Sequence, residues 1–523
     1  MRAVPGTGRI LAGLVGLASL GLVIRDAWVC DDAYITFRHV DHLWLGHGLE
    51  WNVGERVLVS THALWLGLLS VLQPLTGEPF WSAIGLSIGC TGAALALLVV
   101  RDDGGGWAAI APVALLGSSK AFIDFSTSGL ENPLTHLLLV VVALSASRQR
   151  DDRLGIAAGL LLLNRLDTAL LVAPLLAWRV LASRGAAARA LWPVAAIPGA
   201  WMAFALVYFG EPLPNTALAK LAQQIPAADR VAQGLDYLSN SWAWDPVTLA
   251  GIGVGLVASL LVLRRDPVAL ALALGSVVGV AYAVRIGGDF MSGRFLTAPL
   301  LCAAMGLARA VAHAPGRPAL ATLLAGGAIA LSATSTRSPL RTDLDYSDQG
   351  WDETGIADER GFYFRAQGLW PMLRDGRGPV PPGRPDTTHH EDPVIVERTI
   401  GARGYEGGPG LHIIDRFALS DALLARLPVR YGPGWRPGHW DRPVPEGYRA
   451  TLRSGRQQLR DPAIARCFER VQAVHAGPLF TRARWAAIWT LNTTGCTDLW
   501  GERWMHPQTT DWQWDGGSEP VVR

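Results

Sequence analysis

The stretch Cys30-Asp-Asp-Ala-Tyr-Ile-Thr-Phe-Arg38 follows directly on an apolar run at 10–24. Two adjacent carboxylates beside a segment long enough to enter a bilayer decide how the chain is read, because ionised groups are costly in lipid. Asp31 and Asp32 belong at an interface or in a polar cavity, and a membrane-surface active site is the first expectation. On position alone, a solvated loop flanking a helix end fits as well.

Composition settles the class. Half of the 523 residues are apolar, and the charged fraction of 17% lies below the roughly 25% of soluble domains. Mean hydropathy is positive, at +0.24. The pattern is that of an α-helical polytopic membrane protein. A net charge of +2 gives no ground for a nucleic-acid partner.

Apolar runs fall near 9–25, 80–100, 107–120, 133–147, 154–183 as a broken pair, 190–209, 247–263, 267–285, 295–311 and 318–334. These predict about eleven transmembrane helices. With the N-terminus in the cytoplasm, Arg101, Arg148 with Arg150 and Arg153, Arg184 with Arg189, Arg264 with Arg265, and Arg317 all fall inside, as the positive-inside rule asks. The run at 64–75 is short and ends at Gln-Pro. Counting it as a span would reverse the sidedness of the basic loops, so an interfacial or re-entrant helix is expected. Segment 1–25 reads as an uncleaved first helix rather than a signal peptide.

The expected division is therefore a transmembrane domain at 1–334, with a first external loop and interfacial helices at 25–79, followed by an exported mixed α/β soluble domain at 335–523. In the latter, Pro393-Val-Ile-Val-Glu397 and Leu411-His-Ile-Ile414 are strand-like, and 376–388 is a Pro/Gly-rich loop. Trp435, Trp440, Trp500, Trp504, Trp512 and Trp514 lie there, as sugar platforms or as ordinary buried aromatics. Cys467 and Cys496 share this exported part, where a disulfide is permitted. Cys90 and Cys302 sit inside spans. His389 and His390, before Glu391 and Asp392, read as a solvated polar turn rather than a metal site.

With this topology, polar residues that a membrane interior excludes gather at the outer face. They are Asp31 and Asp32; Glu131 and Asn132; Asn164, Arg165 and Asp167; Asn215 with Lys220; and Asp289 with Arg294 in Gly287-Gly-Asp-Phe-Met-Ser-Gly-Arg294. Such a set suits glycosyl transfer from a lipid phosphate: a carboxylate takes the proton of an attacking sugar hydroxyl, while Arg and Lys hold the phosphate leaving group. No nucleotide-binding loop is present.

The segments 31–38, Gly46-His-Gly-Leu-Glu-Trp-Asn52 with Gly54-Glu-Arg56, Ser126-Thr-Ser-Gly-Leu-Glu-Asn-Pro133, Gly288-Asp-Phe-Met-Ser-Gly-Arg-Phe295, and Gly434-Trp-Arg-Pro-Gly-His439 with Pro445-Glu-Gly-Tyr448 resemble the mycobacterial terminal β-1,2 arabinofuranosyltransferase family. That family lies within the GT-C group of polytopic glycosyltransferases, which use polyprenyl-phosphate sugars. The resemblance implies a catalytic base at Asp31 or Asp32 and a second acidic site at Glu131. Charge and expected side make Arg165, Lys220 and Arg294 candidate donor-phosphate ligands, with Arg38, Asn132, Asp167 and Asp289 as supporting polar groups. Trp435 and His439 would contact the acceptor glycan.

The implied partners are decaprenyl-phospho-arabinofuranose or a similar polyprenyl-phosphate sugar, a surface glycan or glycoprotein acceptor, and the lipid bilayer of the cell membrane, with the C-terminal domain extracytoplasmic. A divalent cation held by Asp31, Asp32 and Glu131 is a candidate cofactor. Two other readings stand beside this one: transfer of mannose or another hexose from a polyprenyl phosphate, and a non-enzymatic lipid-glycan transporter. The second fits less well because no internal repeat is visible.

Overall fold

The computed structural model describes residues 6–100, 106–221, 225–348, 350–380, 392–427, 429 and 435–496. His389, His390, Trp500, Trp504, Trp512 and Trp514 lie outside these residues, as does most of the expected loop at 376–388. The described chain is mostly helical and forms two compact units. One comprises 1–33, 62–199 and 226–379; the other comprises 34–61, 200–225 and 380–523.

In the first unit every expected apolar run is helical, including Thr7–Arg25, Pro79–Val99, Trp107–Ser118, Asn132–Ser147 and Pro267–Ile286. Their length is where expectation and structure part. Five helices in the described chain are long and apolar enough to cross a membrane: Thr7–Arg25, Pro79–Val99, Ala187–Tyr208, Pro267–Ile286 and Arg294–His313. A sixth arises if Ala227–Trp244 and Pro246–Leu261, bent by 105° at their junction, make one broken span. Trp107–Ser118, Asn132–Ser147 and Arg317–Ser332 are apolar but shorter. At 1.5 Å per residue they fall short of a hydrocarbon core of about 30 Å, so helix length does not support a count of eleven. The run at 64–75 is the helix Ala63–Thr76, with Pro74 inside it, and is likewise too short to span.

Small residues let these helices close up. A Cβ at Gly255 would stand 2.4 Å from the Ala303 carbonyl oxygen, and one at Gly275 2.2 Å from that of Leu171. Helix packing without hydrophobic drive depends on such close backbone approach.

Residues 335–379 belong to this first unit. Arg360 is fully buried, 3.1 Å from Asp26 and 3.4 Å from Asp124, and Lys120 stands 3.0 Å from Asp358 and pairs with Asp124. The boundary expected at 334/335 concerns the side of a membrane on which each piece lies, and it remains a proposal. As packing units, the chain divides differently.

The second unit carries a two-stranded parallel sheet, Val394–Glu397 with His412–Asp415, in the register Val394↔His412 to Glu397↔Asp415. These are the two strand-like pieces legible in the sequence. Ile413, Ile414, Leu423, Ile464, Val474 and Phe468 form its core. The helices Pro462–His475 and Arg482–Thr493 follow, and Cys467 and Cys496 are disulfide-bonded, with Cα atoms 5.7 Å apart.

Candidate active site

Three loops of the first unit converge. In the first, residues 26–32 lead into the helix Asp31–Trp44, so both aspartates fall in its first turn, where the helix dipole favours a negative charge. In the second, 126–131, Ser128 accepts a hydrogen bond from the Cys30 backbone N–H (3.0 Å), and the Gly129 carbonyl accepts one from Trp65 Nε1 (3.0 Å). Gly129 has φ +80°, and a Cβ there would lie 2.7 Å from that of Ala33. Only glycine lets the two loops meet this closely. In the third, 287–296, Tyr237 holds the backbone, donating to the Met291 carbonyl and accepting from the Phe295 N–H, both at 3.1 Å.

Glu131 is the hub. Its Oε1 lies 2.8 Å from Arg165 Nη1 and 3.4 Å from Arg294 Nη2, while Oε2 lies 3.3 Å from His62 Nδ1. Burial alone would raise its pKa, but His62, Arg294 and Arg165 together hold it at about 2. Asp167 takes the other fork of Arg165, at 2.5 and 3.0 Å, and Asp289 stands 3.6 Å from Arg294 Nη1. Asn164 donates to the Glu131 carbonyl at 3.2 Å, and Asn132 to Thr297 Oγ1 at 3.4 Å.

A cavity of about 40 Å³ opens beside this cluster, lined among others by Asn132, Arg165, Asp167, Tyr282, Arg294 and Phe295. The two guanidiniums differ. Arg165 is fully engaged by Asp167 and Glu131, whereas Arg294 makes longer contacts and its buried Nε has no hydrogen-bond partner among the described residues. Ser128 Oγ and Asn132 Oδ1 are buried and unpartnered in the same sense. Orphaned buried polar atoms of this kind call for water or a ligand. Arg294 is thus the better anion ligand, and Arg165 orients Glu131.

Of the sequence-predicted residues, Glu131, Asn132, Arg165, Asp167, Asp289 and Arg294 are brought together, and Asp32 is among the charged neighbours of Arg294. Four others sit in the second unit. Arg38 is buried, stacks on Trp51 at 4.5 Å, and donates to the carbonyls of Trp51, Gly404 and Leu411, so it braces that unit's backbone. Lys220 is a charged neighbour of His439. Trp435 stacks on the buried Trp440 at 5.1 Å, and His439 packs edge-on against Phe417 at 4.7 Å.

The expected cation site does not fit. Glu131 faces two guanidiniums and an imidazole, so a divalent ion there would meet positive charge. Among the described residues no group of three His, Cys, Asp or Glu side chains is placed to hold a metal. Sequence reasoning missed two residues. His62 was visible only as the residue before the helix at 63–76, and Glu359 lay in the part assigned to the exported domain. Its carboxyl has Asp32, Asp31, Asp289 and Asp358 as charged neighbours.

No protein-family model matches the chain. Curated proteins do. The terminal beta-(1->2)-arabinofuranosyltransferase of Mycobacterium tuberculosis is 26% identical over 507 residues, covering 76% of this chain and 78% of that protein. The protein of the same name from Corynebacterium glutamicum is 29% identical over 331 residues, covering 52% of this chain and 46% of its own length. Over about three quarters of its length, this chain is similar to a protein named as a terminal beta-(1->2)-arabinofuranosyltransferase.

Proposed function

We propose that the protein is an inverting membrane glycosyltransferase that moves arabinofuranose from decaprenyl-phospho-arabinofuranose to a cell-surface glycan or glycoprotein. The observation that carries this reading is Arg294, a partly buried guanidinium whose buried Nε is unpartnered among the described residues, at a polar cavity in the same unit as an Asp31–Asp32 pair at a helix start. The acceptor hydroxyl oxygen attacks the anomeric carbon and gives its proton to Asp31 or Asp32. The bond from that carbon to the phosphate oxygen breaks, its electron pair stays on the phosphate, and Arg294 offsets the developing charge. A single displacement inverts the anomeric centre.

In this reading the site opens to the outer face of the cell membrane, the basic loops lie in the cytoplasm and the C-terminal residues are extracytoplasmic. The shorter apolar helices, together with Asp151–Asn164 and Ala169–Ala182 of the broken pair, bring the crossings to about eleven by packing against protein within the bundle. Trp435 and His439 contact the acceptor.

The test supplies lipid-reconstituted protein with labelled decaprenyl-phospho-arabinofuranose and a short arabinan. Transfer with release of polyprenyl phosphate is expected. Asp31→Asn or Asp32→Asn should lower the rate by about a hundredfold or more, the scale of a lost general base. Full activity in both variants would remove the pair from the mechanism; activity with hexosyl donors alone would change the sugar; no lipid phosphate released from any donor would favour transport.

A further inference from the structure

The helix Glu359–Gln367 is fixed against two of the three loops. The Val29 N–H donates to the Gln367 carbonyl (3.2 Å) and the Leu369 N–H to that of Ala27 (2.8 Å). On its other side, the Ala357 N–H donates to the Phe290 carbonyl (2.8 Å), and the Ala357 carbonyl accepts from the Ser292 N–H (3.0 Å). Glu359 and Tyr363, four residues apart, share a helix face, and Tyr363 stacks on Trp28 at 6.5 Å. That face therefore looks onto the segment carrying Asp31 and Asp32.

Glu359 is only 7% exposed, and the charged groups around its carboxyl are themselves acids. A carboxyl buried among other acids is costly to ionise. The groups around it are Asp31, Asp32 and, in the same segment, Cys30; Asp289 from the loop before Phe290; Asp358, which caps its own helix; and Tyr363 within that helix. Of these acids, Asp358 is engaged by Lys120.

We propose that Glu359 is a positioning residue for the Asp31–Asp32 pair: it stays protonated through the reaction and offers its O–H to these carboxylates, holding the base in place without adding a charge beside the donor phosphate. This deepens the proposed transfer and rests on it. Glu359 neither gains nor loses a proton in the cycle; the acceptor's proton goes to the aspartate. Burial, then Asp32 and Asp31, push its carboxyl well above the ordinary range, in keeping with this role. On the alkaline side Glu359 ionises, and repulsion of the anionic donor should raise KM.

The test compares the full-length wild type with Glu359→Gln and Glu359→Ala in lipid, across pH. Glu359→Ala should lose about ten- to a hundredfold in transfer. Glu359→Gln, which keeps the shape and a neutral donor, should restore most of that loss and abolish the alkaline rise in KM. Difference infrared spectroscopy should show a neutral-carboxyl band in the wild type that disappears in Glu359→Gln. An alkaline limb unchanged in Glu359→Gln, or a neutral-carboxyl band unaltered by the substitution, would overturn the proposal. A wild type that transfers no arabinofuranose would sink the proposed function, and the infrared comparison would still decide the protonation of Glu359.

Discussion

Glu131 joins His62, Arg165 and Arg294 by one carboxylate, so its removal leaves buried positive charge without its main counter-ion. Breaking such a buried pair costs about 3–5 kcal/mol, reduced here because Asp167 still pairs with Arg165. Glu131→Gln should therefore lower the thermal unfolding midpoint of the detergent-solubilised protein, and an unchanged midpoint would show that the guanidiniums find other partners. Arg294→Gln is expected to act on the substrate instead. A hydrogen bond to a charged group is worth about 1.5–3 kcal/mol, so the donor KM should rise about tenfold or more, with a smaller change in the unfolding midpoint than Glu131→Gln produces.

At the scale of the element, turns and cross-links set the loops that carry these residues. Gly129→Ala places a methyl at φ +80° and 2.7 Å from Ala33. Either the 126–131 loop or the start of the helix Asp31–Trp44 must move. A loss of transfer of about a hundredfold is expected, since displacement of about 1 Å is enough for that; activity near wild type would show that the loops adapt without moving Asp31 and Asp32. In the second unit the Cys467–Cys496 bond closes a separation of 29 residues. Cys467→Ser should destabilise that unit by about 2–4 kcal/mol, measured by unfolding with and without reductant.

For the whole molecule, buried carboxyls set the response to pH. Asp421 is pushed up to about 8, first by burial, despite hydrogen bonds from the Leu424 N–H and the Tyr448 hydroxyl. Glu55 is pushed up to about 7, also by burial. Stability from groups raised this way is complete below the ordinary carboxylate range and is lost as pH rises through their folded values. Glu131 works in the opposite sense: its contribution is present above the ordinary carboxylate value and is lost only as pH falls towards about 2. Stability should thus decline from about pH 5 to pH 8, and Asp421→Asn should flatten the slope. Sidedness is read directly by single cysteines at Ser338 and Arg265: an impermeant reagent added outside should label the first and not the second, and the reverse would invert the proposed topology.

Sequence alone determined that this chain is mostly helical, with several helices apolar and long enough to cross a membrane. Apolar runs and their periodicity act locally, so the helices at 7–25, 79–99 and 267–286 were legible, as were the two short strands in the C-terminal part. Chemistry-bearing residues were legible too, because carboxylates and guanidiniums next to apolar helices are conspicuous by cost. What they touch was not. That Arg38 braces carbonyls of the second unit, that Arg165 is saturated while Arg294 is not, and that Glu359 joins the wall around Asp31 and Asp32 all depend on contacts between residues far apart in sequence. Tertiary structure decided these, because electrostatic environment is a property of neighbours in space and carries no signature in the local order of residues.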